Sequence, residues 1–423
     1  YRCRGPLQLR SSVELTFDPG IRLFFEFDPD AYLVRSHDAR LGTLRRYEGT
    51  TLFSFSPLLY AFGETDVALT FAGGIGGNPI IDGDGMRWQA WAADVDQQRV
   101  DAGFTSTHFA VRTANNDDAP LSERYRTDPS TDALRPDLAM FFLCERVLID
   151  GLQLVNAPFW MVHPVFSDEL TFRNLVFDGQ VINNDGFDIE SCRNTLIENV
   201  QFNNHDDNVS IKAGRDLDGR VGVDVRGSIL DSIESRYITE GRLQGPTDNV
   251  VVRNCAFKGH HAIAIGSEMS GGVQGVYAYD NHSPIEVEIA LYLKATRSRG
   301  GSIHGVRFFD STFTNVDSLV ALIPNFDGDT EGPHPSEFRD VGVAACRARS
   351  ATHGIRIIGW PDLPIRDVSI DEVTVDDVQR PHDELVIKNA TNVRVKNATL
   401  GSTRVDELEA NHIDPNEAPP VVM

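Results

Sequence analysis

Three acidic residues stand where carboxylates could act together. Asp185 follows Asn183-Asn184 and precedes Gly186, and the pair Asp206–Asp207 begins 21 residues later. A histidine pair, His260–His261, and a lysine, Lys294, come further along the chain. Carboxylates a few Å apart cannot all ionise easily, so one should keep its proton near neutral pH and act as an acid while another acts as a base. That chemistry requires residues distant in sequence to become neighbours. A spacing in the twenties is a plausible length for one turn of a solenoid.

Short alternating runs recur at such intervals. Phe187-Asp188-Ile189-Glu190 matches Val209-Ser210-Ile211-Lys212, then Ile263-Ala264-Ile265-Gly266, then Leu291-Tyr292-Leu293-Lys294. Each has the period of a half-buried strand. A second register contains Leu175-Val176-Phe177, Val200-Gln201-Phe202 and Cys255-Ala256-Phe257. Parallel pairing stacks like positions about 4.8 Å apart. Asp185, Asp207 and His261 then share one column, with Asp206 and His260 one residue further back. Glu190, Lys212 and Lys294 form another column, to which His163 is also assigned. Burying so many charges would be costly, which predicts a wet groove on this face.

The repeat runs from about residue 50 to about 400, so one all-β solenoid accounts for the chain more simply than several domains. The predicted division is a β-helix over 1–405, with insertions at about 92–135 and 217–247, and an uncoiled tail over 406–423. Residues 36–50 read as irregular. The glycine-rich stretches Gly73–Gly77 and Asp82–Gly85 read as turns with no helix after them. Insertions on one side of a solenoid commonly wall its binding face. Trp88, Trp91 and Phe326 are candidates to stack on a ring, although packing in turns is the commoner role.

A net charge of −23 argues against a nucleic-acid partner. Only five basic side chains are lysine, the rest being arginine. Such acidity suits high salt, where repulsion is screened within a few Å; ordinary acidity with GC-rich codon usage is the other reading. The cysteines Cys3, Cys144, Cys192, Cys255 and Cys346 have no metal-like spacing, and Cys255 falls on a core position. No metal and no cofactor are expected. No apolar run is long enough to span a bilayer, so no membrane partner is expected.

Four ordered blocks resemble the signature of the polygalacturonases, glycoside hydrolase family 28. They are Asn184-Asp185-Gly186, His205-Asp206-Asp207, Gly259-His260-His261 and Leu291-Tyr292-Leu293-Lys294. Supporting stretches are Pro158–Pro164, Gly214–Arg220, Gly266–Gly272 and Arg299-Gly300-Gly301. The resemblance implies a single-stranded right-handed parallel β-helix that hydrolyses α-linked galacturonate with inversion. It implies that Asp185 and Asp207 hold and deprotonate water, Asp206 protonates the leaving oxygen, His260 tunes the cluster and Lys294 binds the sugar carboxylate. The expected partner is an acidic plant polysaccharide or oligogalacturonide, acted on by a monomer. The expected place is outside the cell or on its surface, or the cytoplasm if imported oligosaccharides are the substrate.

The blocks depart from the family pattern in places. His261 replaces the usual glycine of the third block, and Tyr292 stands where the fourth block usually has arginine. Tyr292 and His261 become candidate specificity residues, and Lys212, Arg297 and Arg299 are candidates to supply the missing cation. His163 is a candidate substrate contact. These changes favour an exo-acting or branch-tolerant enzyme. Tyr1–Ser11 resembles the end of the family's first coil, which predicts an uncovered front edge. A rhamnogalacturonan hydrolase, a calcium-dependent lyase with an arginine base, and a non-catalytic polysaccharide-binding β-helix are the alternatives. No arginine falls in the acidic columns, which counts against the lyase.

Overall fold

The computed structural model describes all residues except 35–40, 72, 74–76, 327, 329, 381, 417, 418, 421 and 423. Each turn of the chain supplies short strands that pair in parallel with those of the turns on either side. The first sheet runs from Leu59–Phe62 through Ala139–Phe142, Val162–Val165, Phe187–Glu190, Val209–Lys212 and Ile263–Ile265 to the end of His282–Lys294. A second sheet stacks Thr65–Thr70, Glu145–Asp150, Asp168–Arg173, Arg193–Glu198 and Thr247–Arg253. A third, narrower sheet joins Ile80–Asp82, Gln153–Val155 and Val176–Asp178, and bridges at Gln201 and Ala256 continue it. The architecture is the expected right-handed parallel β-helix.

Alternation explains why these strands close around one core. Phe187, Ile189, Val209, Ile211, Ile263 and Ile265 point inward and are buried. The second register forms a ladder in which Phe177, Phe202 and Phe257 stack at 5.3 and 5.2 Å. Cys255 is buried at the predicted core position, and all five cysteines are free. Asn174, Asn199 and Asn254 take left-handed φ of 56, 55 and 54° at one corner, a conformation asparagine tolerates better than most residues. The Asn199 amide donates to Asn174 Oδ1 at 2.7 Å, so the corner is also bonded from coil to coil.

The decorations differ from expectation. Thr43–Tyr47 and Thr50–Ser54 form an antiparallel hairpin whose first strand and turn fall in the 36–50 stretch read as irregular. Its turn is Glu48-Gly49, both at positive φ (44° and 77°), the geometry that fits strand twist in a two-residue loop. A helix does follow Asp82–Asp84: α1 spans Gly85–Asp101 and α2 spans Thr107–Asn116. The buried stripe of α1 is only Gly85, Trp88, Ala92 and Val95, too sparse to stand out as a period. The first insertion therefore begins at residue 85, and the 74–76 part of the Gly73–Gly77 turn lies outside the described residues. The second opens with α3, Asp216–Arg220, and continues into a small antiparallel sheet over Val223–Asp224, Ile238–Thr239 and Arg242–Leu243. At the other end, Thr403–His412 pairs antiparallel with Ala390–Leu400, so an ordered strand crosses the boundary expected at 405.

Trp88 is packed between Phe27 and Tyr32 at 5.1 and 5.2 Å, and Trp91 meets Phe55 at 5.5 Å. Both hold α1 to the hairpin and the front coils, and neither lines the cavity described below.

Candidate active site

The acidic residues sit at the mouth of the first sheet, just before its strands begin. Register places them: Phe187 pairs with Val209 and Val209 with Ile263, so Asp185, Asp207 and His261 each precede a paired residue by two positions. Gly186 is required beside Asp185, because a Cβ there would lie 2.4 Å from the Asn208 carbonyl oxygen of the next coil. One carboxylate oxygen from each of Asp185, Asp206 and Asp207 lies within 4.8 Å of the others.

The cluster is enclosed where a wet groove was predicted. Asp185, Asp207, Lys212 and Lys294 are only 4, 2, 4 and 6 % exposed, while Asp206 and His260 remain partly open. Opposite charges make this burial tolerable. Lys294 Nζ donates to Asp207 Oδ2 at 2.9 Å. Lys212 Nζ lies 2.7 Å from Asp188, 3.6 Å from Asp185 and 3.7 Å from Glu268, and sits 3.6 Å above the Trp160 ring. The two histidines divide the work. His261 is fully buried with Nδ1 2.6 Å from Asp207 Oδ1, whereas His260 stands 3.6 Å from Asp207 and 3.7 Å from Asp206, with Nε2 2.9 Å from Glu288.

These contacts separate the carboxylates. Burial pushes Asp207 up, but Lys294 and the histidines outweigh it and hold it well below the usual carboxylate range. Burial, then the charges of Asp188 and Asp206, push Asp185 well above that range, with Lys212 opposing. Beneath them burial lifts Asp188 to about 7 against the pull of Lys212. His260 is raised to about 10 by Asp207, Glu288 and Asp206 although burial opposes, while burial lowers His261. One buried face thus carries two carboxylates pushed in opposite directions, Asp207 toward the ionised form and Asp185 toward the protonated one.

A cavity of about 200 Å³ opens on the cluster. Asp185, Asp206, Asp207, Lys212 and Lys294 line it, with Trp160 and Phe326 as ring surfaces and Arg112, Arg215, Glu48 and Glu268 opposite. Hairpin and helices build that wall. Arg112 of α2 pairs with Glu48 at 2.9 Å, and Arg215 pairs with Glu268 at 3.1 Å. Asn115 of α2 donates to the Arg215 carbonyl at 3.0 Å and accepts from Asp218 N. Glu48 and Arg112 were not foreseen. The Glu-Gly turn between alternating runs was a readable hairpin signal; a single polar residue on a surface helix carries none.

Six sequence candidates lie outside the cavity wall: His260, placed above, Arg297, which pairs with Asp362 at 2.6 Å, and the four that follow. His163 is fully buried with Nε2 2.9 Å from Glu190 and Nδ1 3.4 Å from Asp137. The pairing of Val162 with Phe187 and Val165 with Glu190 puts it in the Asp188 column, two residues from the column assigned by sequence. It belongs to a buried chain of charges in which Arg45 pairs with Asp137 at 3.1 Å and Arg46 with Glu190 at 2.7 Å, pinning the hairpin to the coils. Arg299 donates to Asp216 at 2.8 Å and steadies α3. Tyr292 is fully buried and donates to the Val422 carbonyl at 3.1 Å. His261 stands behind Asp207, edge-on to Tyr292 at 4.9 Å.

The site can hold a water between carboxylates whose acidities differ and bind an anionic group through its cations. Residues 127–393 match the model of Glycosyl hydrolases family 28. A probable polygalacturonase of Vitis vinifera is 28% identical over 57% of this chain and 46% of its own length. An exo-poly-alpha-D-galacturonosidase of Dickeya chrysanthemi is 24% identical over 78% of this chain and 51% of its own. The chain thus spans about half the length of these two curated relatives. Among solved structures, a hyperthermoactive exopolygalacturonase from Thermotoga maritima superposes with a TM-score of 0.77 at 28% identity, covering 96% of this chain and 83% of that one. A family 28 exopolygalacturonase of Yersinia enterocolitica shares the fold, with a TM-score of 0.67 at 17% identity over 99% of this chain and 72% of that one. The match extends over more than half of the chain and includes all four acidic and histidine blocks: the chain belongs to glycosyl hydrolases family 28.

Proposed function

We propose that this protein hydrolyses α-1,4-linked galacturonides with inversion, releasing sugar from a chain end. The observation that carries the reading is the meeting of three carboxylates from two consecutive coils within 4.8 Å beside a cavity lined by Lys212, Lys294, Arg112 and Arg215. Cations suit the carboxylate of a uronic acid. Asp206, the most open of the three, is the acid that protonates the glycosidic oxygen. Asp185 and Asp207 hold the water, and Asp207, kept ionised by Lys294 and His261, takes its proton. His260, charged between Asp206 and Glu288, steadies the open side of the cluster. The walled end built by the hairpin and α2 supports exo action, as do the names of the Dickeya and Thermotoga relatives.

The carboxylates lie closer than the roughly 6.5–9.5 Å usual between acid and base in inverting enzymes. The water is therefore expected to sit on two carboxylates at once, to one side of the acid. Proton NMR of the first product gives the check: the β anomer should appear before mutarotation, and an initial α anomer would mean retention. Chromatography of products from polygalacturonate should give monomer alone, whereas a ladder would mean internal cleavage. Asp206→Asn should lower kcat by about 10²–10⁴. Wild-type rates no higher than those of this variant would favour a binding module. Rhamnogalacturonan is the control substrate for the runner-up activity.

No helix among the described residues is long and apolar enough to cross a membrane. Growth-fraction assays for the protein outside and inside the cell would separate action on polymer from action on imported oligosaccharide.

A further inference from the structure

With tyrosine at 292, a cation is missing from the place where the family pattern has arginine. Arg297 and Arg299 do not replace it, since they pair with Asp362 and Asp216 away from the cavity. The wall opposite the acid cluster holds another arginine. Arg215 is only 5 % exposed, yet its side chain lines the cavity. Three elements fix its backbone. Its N–H donates to the Gly49 carbonyl in the hairpin turn at 3.1 Å, Asn115 of α2 donates to its carbonyl at 3.0 Å, and α3 begins at the next residue.

The guanidinium so placed is short of partners. Among the described residues it makes one hydrogen bond, to Glu268 at 3.1 Å, and its buried Nε makes none. Glu48 at 3.7 Å and Asp216 at 3.6 Å stand beyond hydrogen-bond reach. Each has a closer cation, Arg112 at 2.9 Å and Arg299 at 2.8 Å. Glu268 is itself shared with Lys212 at 3.7 Å. The lysines of the cavity are better served. Neighbouring acids outweigh burial at Lys212 and Lys294 and hold both above the usual ammonium range. Arg215 is instead pushed down to about 10, by burial first and by the like charge of Arg299 next. A desolvated guanidinium with unmade bonds is costly until an anion reaches it. Its planar fork fits a carboxylate. The cavity of about 200 Å³ is smaller than the roughly 300–1,000 Å³ that hold drug-sized ligands, and it suits one sugar unit.

We propose that Arg215 is the specificity-determining residue that binds the carboxylate of the terminal galacturonate and thereby excludes chain ends whose carboxyl is esterified. This rests on the galacturonide reading above and narrows it. A methyl ester carries no charge, so its binding would leave Arg215 buried and still short of an anion.

The experiment measures kcat/KM on trigalacturonate and on the same trimer methyl-esterified on its non-reducing sugar alone, for the full chain, Arg215→Gln and Arg215→Lys. The full chain should favour the free acid by about a hundredfold or more, the scale of truncating one partner of a buried charge pair. Arg215→Gln should bring the two substrates near parity, through a higher KM for the free acid. Arg215→Lys keeps the charge but loses the fork, and its preference should fall between. A full chain indifferent to the ester, or an undiminished preference in either variant, overturns the proposal. An arginine that served only to hold the wall would lower both rates together and leave their ratio unchanged. Should Arg215→Gln fail to fold, Arg215→Lys decides alone by the same ratio. The galacturonide reading fails separately: the full chain would then cleave neither trimer.

Discussion

Asp207 and Asp185 have the same side chain and adjoining places in one column, yet their surroundings push their acidities in opposite directions. Lys294 and His261 bond Asp207 directly, while Asp185 has one ammonium at 3.6 Å and carboxylates around it. His260 gives this a readable pH signature. Its folded pKa is raised from 6.5 to about 10, so its contribution to stability is complete below 6.5 and is lost as pH rises through 10. Asp207 is depressed, so its contribution is present above the ordinary aspartate value of 3.8 and is lost as pH falls through its lower folded value. Calorimetry should find the melting temperature declining between pH 6.5 and 10, with a flatter decline in His260→Gln. An unchanged slope would show that His260 does not carry it. At this scale the sequence was informative wherever strand register alone decides position. Asp185, Asp206, Asp207 and Lys294 follow from counting along paired strands. Tyr292 does not, because its partner Val422 lies 130 residues away on a segment with no period.

The hairpin is the element that converts an open floor into a cavity, and Gly49 is where it is most constrained. Gly49 has φ of 77°, and a Cβ would lie 2.5 Å from Arg215 N. Gly49→Ala should cost about 1–3 kcal/mol through backbone strain. The clash also moves Arg215, so KM should rise more than kcat falls. Denaturant midpoints and steady-state kinetics check the two effects separately; an unchanged KM would detach the hairpin tip from binding. The coils themselves were readable because apolar alternation recurs in step with the turns. The hairpin and α1 were not, since their buried residues pack against distant coils and leave only weak local patterns. Arg45 and Arg46 illustrate why: two adjacent arginines read as surface, yet both are buried because Asp137 and Glu190 wait for them on the β-helix.

For the molecule as a whole, a charge of −23 means that folding gathers repelling carboxylates onto one surface. Screening should relieve this, so the thermal midpoint should climb as potassium chloride is raised from dilute buffer to about molar concentration, where the screening length falls to about 3 Å. Loss of activity in molar salt would assign the acidity to ordinary composition. The overall architecture and its acid cluster were accessible from one sequence because a solenoid writes its geometry as repetition. The hairpin and the helices that wall the site break that repetition.

The hairpin is synthesised long before the coils that hold it. Thr51 N bonds Asp218, 167 residues later, and Arg45 bonds Asp137, 92 residues later. Closing such long loops is slow compared with pairing neighbouring coils. Catalytic competence is therefore a late acquisition: in renaturation the far-ultraviolet signal of the strands should return ahead of enzymatic turnover, and the lag between them times the docking of one small hairpin.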